Sequence, residues 1–316
     1  MNLRLAVPSR DFPRIASLLT SISPEPVTVA DLEEDEARTM TGKHWRRWVV
    51  EDSASGVMGY AMVIRYPSQP PGWMNMELVV DAAYRRQGAG TMLYEAALGY
   101  AREHGAATLV VEVNDREPNG RRFAEQHGFR RSHHVLDAVL DLTAFDMSDV
   151  DHAETIARAE LAGIRFTTLA ALGKTEPVLR QLYDLNRMAV LDEPGSSGGF
   201  PAYENWLRIV VNARWYRAES QFIALDGDTL VGLAGVYNDP DHPQTMFNGL
   251  TGVRPEYRRR GIALALKLLT IRYAIDHGAH VVTTNIDDRN APMLRINTAL
   301  GYLPQSGHTV YQLTLG

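Results

Sequence analysis

The sequence predicts an α/β (α+β) fold built twice: two tandem domains, each a β-sheet flanked by helices. Three observations carry this. The stretch "DAAYRRQGAG" at Asp81–Gly90 resembles "RPEYRRRGIA" at Arg254–Ala263, and the offset of about 173 residues holds without a gap well past the motif. "YAREHGA" (Tyr100–Ala106) falls on "YAIDHGA" (Tyr273–Ala279), Asp115 and Arg116 fall on Asp288 and Arg289, and "HGF" ending at Phe129 falls on "LGY" ending at Tyr302. The repeat is domain-sized, which points to a duplicated domain rather than a solenoid. Each half also alternates strand-like and helix-like segments, and 316 residues at 45% hydrophobic are enough for two cores.

The elements follow in order. "LRLAVPS" reads as a short strand, and "FPRIASLLTSI" as a helix with apolar residues at helical spacing. "HWRRWVVED" and "GVMGYAMVIRY" read as neighbouring strands around the turn "SASG". "WMNMELVV" is a strand leading into the arginine loop, and residues from Gly90 to about His104 form an amphipathic helix capped by Gly105. "ATLVVEV" is a buried strand, "NGRRFAEQH" a short helix ended by Gly128, and "FRRSHHVLDAVLDL" a final strand. The second half repeats the series, from "IRFTTLA" to "YLPQSGHTVYQLTL", the latter read as its closing strand. The domains are placed at 1–144 and 164–316, joined by a polar connecting helix within 145–163. "LDEPGSSGGFP", the longest Gly/Pro/Ser cluster, has no counterpart in the first half and reads as a lid or substrate loop.

Bulk properties narrow the partners. The net charge of −6 argues against nucleic acid, although local charge can still favour a small anion. The chain has no cysteine, which removes disulfides, thiolate nucleophiles and cysteine metal sites and fits a reducing cytoplasm. No stretch approaches the length of a transmembrane span, and the start lacks a secretory pattern. His133 and His134 alternate across a strand, point to opposite faces and do not easily share a metal, so none is expected.

The arginine loops raise a physical question. Cations are disfavoured at a helix N-terminus, yet Arg85–Arg86 and Arg258–Arg260 run straight into one. The arrangement makes sense if an external anion belongs there. Gly88, Gly90, Gly261 and Ala263 lack bulk, so a ligand can approach the main chain, and arginines supply bidentate donors for phosphate oxygens. A pyrophosphate is the expected occupant. The Walker lysine is missing, and so are the three glycines of a dinucleotide fingerprint.

"RRQGAG" and "RRRGIA" match the Arg/Gln-x-x-Gly-x-Gly/Ala signature of the GNAT superfamily of acyl-CoA-dependent N-acetyltransferases. "TGVRPEYRRRGIALALK…TTNIDDRNAPMLRINTALGY" resembles the second domain of bacterial tandem-GNAT proteins, and the resemblance covers nearly the whole chain, once per half. It implies two mixed, mostly antiparallel sheets whose fourth and fifth strands splay apart. It also implies that acetyl-CoA is held by Arg85, Arg86, Gln87, Gly88, Ala89, Gly90 and Thr91 and by Arg258, Arg259, Arg260, Gly261, Ile262 and Ala263, with Asn290 matching the same pattern. Main-chain groups of Leu78, Val79 and Val80 and of Thr251, Gly252 and Val253 would pair with the pantetheine arm. The implied activity is acetyl transfer to a primary amine of a small molecule or peptide by direct attack in a ternary complex, in a monomer or homodimer.

That chemistry needs a polarised thioester carbonyl, a base for the ammonium and an acid for the thiolate. The family's usual acid, a tyrosine after the fifth strand, is replaced by Ala124 in one half and Asn297 in the other. Glu77 heads "ELVV" as a candidate base; its counterpart Leu250 cannot serve. Glu112 and its counterpart Asn285 lie late on the fifth strands, facing the expected amine site, and Glu77, Asn285 and Asn297 stand as candidate catalytic residues. Asn290 has capping of the next helix as its competing role. The fuller pattern and the Gly/Pro/Ser loop favour turnover in the second half. A rival reading is a binding or sensing protein with one or both halves silent.

Overall fold

The computed structural model describes residues 1–23, 26–37, 44–54, 56–66, 69–147, 150–196, 198–213, 215–238 and 242–316. Ser55 of the predicted "SASG" turn, Ser148 and Asp149 at the start of the connecting helix, and Ser197 of the Gly/Pro/Ser loop lie outside the described residues. The chain divides into two compact units, one of Met1–His134 with His308–Gly316 and the other of Val135–Gly307.

The first unit runs β1 (Asn2–Leu5), α1 (Pro8–Thr20), α2 (Val29–Ala37), β2 (His44–Asp52), β3 (Gly56–Arg65), β4 (Trp73–Val80), α3 (Ala89–Glu103), β5 (Thr108–Asn114) and α4 (Pro118–Gln126). Strands β1 to β4 pair antiparallel in sequence order, and β5 joins β4 in parallel. The β4–β5 ladder covers just Trp73–Asn75 against Thr108–Val110, so the strands part beyond it. The alternating period of the strands sorts their side chains onto two faces. Met74, Met76, Leu109 and Val111 pack with Leu93 and Ala97 of α3 on one face. Val49, Tyr60 and Val79 pack with Phe12, Ile15 and Leu19 of α1 on the other. α2 was not foreseen; in "VADLEEDEA" the acidic residues obscure a short amphipathic turn that contributes the buried Leu32.

The second unit contains α5 (Val150–Leu161), β7 (Ile164–Thr168), α6 (Leu169–Leu172), α7 (Glu176–Leu191), α8 (Tyr203–Trp206), β8 (Gln221–Asp226), β9 (Thr229–Asn238), β10 (Thr245–Val253), α9 (Ile262–Asp276), β11 (Val281–Asp287) and α10 (Ala291–Ala299). Its sheet repeats the first: β7 to β10 antiparallel, then β11 parallel to β10 over Thr245–Phe247 and Val281–Thr283 alone. Helix α9 is apolar nearly all round because α5 packs along it, Ala159 joining Ile262 and Leu266 in a buried cluster.

The closing strands differ from the expectation of one per half. Strand β6 (Arg130–Asp141) pairs Val135–Asp141 with β11, inside the second unit. The terminal segment, read as one strand, is two. β12 (Leu303–Pro304) pairs with β6, and β13 (His308–Thr314) pairs along the whole of β5 in the first unit. The units therefore do not divide at the boundaries 144 and 164. Edge pairing is non-local, and a strand's own pattern of side chains does not say which edge it covers.

Candidate active site

Both arginine loops adopt one backbone. Arg86 and Arg259 sit in the left-handed region at φ 64° and 61°, and Gly88 and Gly261 follow at 92° and 79°. A non-glycine residue there costs on the order of 1 kcal/mol, and it recurs at matched positions. Gly88 and Gly261 are the N-caps of α3 and α9, and neither helix has a side-chain cap. The first N–H groups of each helix are left for an outside acceptor.

The arginines divide by role. Arg85 Nε donates to Val80 O at 3.0 Å, and its Nη1 lies 3.1 Å from Glu117 Oε2. Arg258 Nε donates likewise to Val253 O at 2.9 Å, and its Nη2 pairs with Asp192. This first arginine of each loop ties the loop to the end of its strand. Arg260 Nη2 donates to Glu256 O at 2.8 Å, Gln87 Nε2 to Ala83 O at 3.4 Å, and Ala89 and Ile262 are buried at the helix starts.

In the first unit the loop opens onto a cleft of about 1050 Å³ between the splayed strands. Arg85, Arg86, Gly88, Gly90, Thr91 and Leu78–Val80 line one part of it; Asp35, Arg47, Tyr60, Glu77, Glu112 and His308 line another. A Cβ on Gly90 would stand 3.4 Å from the Phe123 ring, an ordinary contact, and the matched Ala263 carries one. Glu77 is half-buried. Burial pushes its carboxyl up to about 7, Arg47 pulls it down, and Asp35 and Glu112 push it further up. Arg47 is buried, donates from Nε to Tyr60 Oη at 3.3 Å and pairs with Glu36. Ala124 lines the cleft at the position of the missing tyrosine.

The second unit differs at the matched positions. Its β10 carries a bulge between Asn248 and Thr251, so Leu250 packs in an apolar cluster with Leu182 and Leu233. A Cβ on Gly252 would fall 2.4 Å from Ala189 of α7, so glycine is what lets the helix lie against the strand. Asn285 is exposed on β11. Asn290 accepts from Met293 N at 3.3 Å and caps α10. Asn297 is 4% exposed, with neither side-chain polar atom hydrogen-bonded among the described residues. Nearby, Lys267 is 1% exposed, its Nζ 4.9 Å from the Tyr302 ring centre, and burial pushes it down to about 7.

Sequence reasoning missed Tyr60, Arg47, Asp35 and His308. Tyr60 and Arg47 sit in ordinary strand patterns, and His308 reaches the cleft through a pairing no local signal announces. Among the described residues, no group of three or more His, Asp or Glu side chains could hold a metal ion, and no helix is long and apolar enough to cross a membrane.

The model of the acetyltransferase (GNAT) family matches residues 12–129 and again 181–302. A mycothiol acetyltransferase of Beutenbergia cavernae is 26% identical over 263 residues, 83% of this chain and 82% of its own length. One of Corynebacterium efficiens is 26% identical over 75% of this chain and 73% of its own. Among solved structures, a tandem GNAT protein from the clavulanic acid biosynthesis pathway superposes with TM-score 0.73 at 19% identity, covering 100% of this chain and 98% of that one. A GCN5-related N-acetyltransferase from Sphaerobacter thermophilus does so with TM-score 0.72 at 21% identity, covering 99% and 95%.

Proposed function

The chain belongs to the GNAT acetyltransferase family, with one family domain in each half, and on that premise we propose that it transfers an acetyl group from acetyl-CoA to a primary amine in the cleft of its first half. The observation that carries this is Glu77: a carboxyl pushed up to about 7, lining the same cleft as an uncapped helix start and its arginine–glycine loop. A base at that value is part-ionised at neutral pH and strong enough to take an ammonium proton, directly or through one water.

The residues fit the cofactor. The N–H groups after Gly88 and the Arg86 side chain would hold the pyrophosphate, and the edge of β4 beyond Asn75, which has no β5 partner, would hold the pantetheine arm. When bound, acetyl-CoA supplies the activated acetyl group. With Ala124 in the acid's position, the leaving thiolate takes its proton without a tyrosine there. The relatives' name makes a mycothiol-type acceptor the first to assay. The absence of cysteine supports a cytoplasmic setting.

This moves turnover from the second half, which the motif pattern favours, to the first. Leu250 in place of Glu77 supports a second half that binds CoA without turning over. Glu77→Gln is the test. It keeps shape and removes basicity, so at pH 7 turnover should fall about 100-fold or more with the KM for acetyl-CoA unchanged. The wild-type rate should drop as pH falls through about 7, the value at which Glu77 takes up its proton. Wild-type turnover in Glu77→Gln would sink the assignment.

A further inference from the structure

The strand that completes the first sheet comes from the far end of the chain, and it carries a histidine. β13 pairs with β5 from His308 opposite Asn114 to Thr314 opposite Thr108. Tyr311 and Leu313 pack with the α3 cluster, which by strand alternation sends His308 and Val310 to the opposite face. Glu112 lies on that same face, with Val310 as its direct partner and His308 diagonal to it. Glu77 lies on it too, because Asn75 and Val110 are in register and Glu77 and Glu112 each stand two residues further along. His308 Nε2 is 3.7 Å from Glu112 Oε2, and both groups line the cleft with Glu77.

Two carboxylates thus face each other across the mouth of the splay, with an imidazole behind one of them. The second unit lacks this at the matched register: Val135 stands opposite Asp287, and Asn285 takes the place of Glu112. We propose that His308 is a positioning residue for acetyl transfer in the first unit, pairing with Glu112 and so setting the charge that Glu77 faces.

The inference rests on Glu77 being the base. Among the described residues, the charged and titratable groups acting on Glu77 are Asp35 of α2, Arg47 of β2, Tyr60 of β3 and Glu112 of β5. Arg47 is engaged by Glu36 and Tyr60, and Tyr60 stays protonated because burial holds its hydroxyl well above its usual range. Of this group, Glu112 is two-thirds exposed at 63% and is the one whose charge a neighbour at 28% exposure can offset without repacking the core. A positive charge at position 308 offsets Glu112 and lets Glu77 ionise more readily; without one the two carboxylates stand opposed.

Profiles of kcat/KM against pH test this in the full chain, with acetyl-CoA and an amine the wild type accepts. His308→Lys fixes the positive charge and His308→Gln removes it. The acid limb should lie roughly half a pH unit lower in the lysine variant, as expected for one charge several ångströms off in a partly aqueous cleft. The KM for acetyl-CoA should be equal in both, and the separation should shrink when Glu112→Gln is added to each. Coincident limbs in the two folded variants would overturn the proposal, and His308→Arg replaces the lysine if circular dichroism shows that variant unfolded. If Glu77→Gln abolishes the limb while the His308 variants leave it in place, the proposal alone falls. If Glu77→Gln keeps the wild-type limb, the base assignment falls and takes this inference with it.

Discussion

At matched positions, Tyr94, Ala97, Ala124, Phe129 and Leu78 of the first half become Lys267, Thr270, Asn297, Tyr302 and Thr251 of the second. The first set packs in or against an apolar core beneath α3. The second is a buried polar interior. Asn248 Nδ2 donates to Thr270 Oγ1 at 3.2 Å, while Asn248 Oδ1, Thr251 Oγ1, both Asn297 atoms and Tyr302 Oη have no hydrogen-bond partner among the described residues. The opposite face reverses the contrast: carboxylates line the cleft of the first half, whereas in the second Leu250 of β10 packs against an apolar cluster and Ala189 of α7 lies against the strand at Gly252. The two anion loops meanwhile keep identical left-handed residues. Duplication has preserved the backbone of the two loops and let the side chains around them diverge.

The largest effect that could break this comparison comes from the loops. Gly88→Glu puts bulk and negative charge where the proposed CoA phosphate would sit, at a φ of 92° that a side chain resists. Acetyl transfer should fall more than about 100-fold, and calorimetry with CoA should lose the first-half site. Gly261→Glu should leave the rate within a few-fold of wild type while removing a second binding event. The reverse pattern would return turnover to the second half.

Lys267→Met sharpens the contrast between the interiors. The folded state holds Lys267 near 7 against an unfolded value of 10.5, so it disfavours the charged form. The destabilisation grows as pH falls from 10.5 towards 7 and is complete below. The methionine variant should gain on the order of a few kcal/mol at pH 7, with the gain fading towards pH 10 in denaturant titrations. An unchanged midpoint at pH 7 would mean Lys267 finds a partner in solution.

Glu77→Gln should raise stability as well as lower rate. Its folded pKa lies above the unfolded one, so ionisation destabilises the fold increasingly from about pH 4.5 to about 7. The Tm advantage of the variant should be absent at pH 4, grow through that window and then level off. Tyr302→Phe is the mildest test. It deletes an unpartnered buried hydroxyl and should stabilise the protein by about 1 kcal/mol. A loss of stability would show that hydroxyl to be satisfied by water.

The sequence by itself determined a good deal. Collinear repeats such as Tyr84-Arg85-Arg86 on Tyr257-Arg258-Arg259 announce duplication, and Gly88 and Gly261 announce the tight turn from loop to helix start. These are local facts: turn glycines, helix starts and side-chain periods are written into neighbouring residues. Glu77 was legible as a carboxylate on the strand before the loop, and its departure at Leu250 as a change of chemistry. The tertiary structure alone decided what those residues meet. It drew Asp35, Arg47, Tyr60, Glu112 and His308 around one cleft from positions up to 273 residues apart in a 316-residue chain, tied Arg85 and Arg258 back to their strands, and gave the last strand of the chain to the first sheet. The physical reason is that burial and charge depend on what packs nearby in space. Which edge a strand covers is settled by the whole sheet, not by the strand's own pattern.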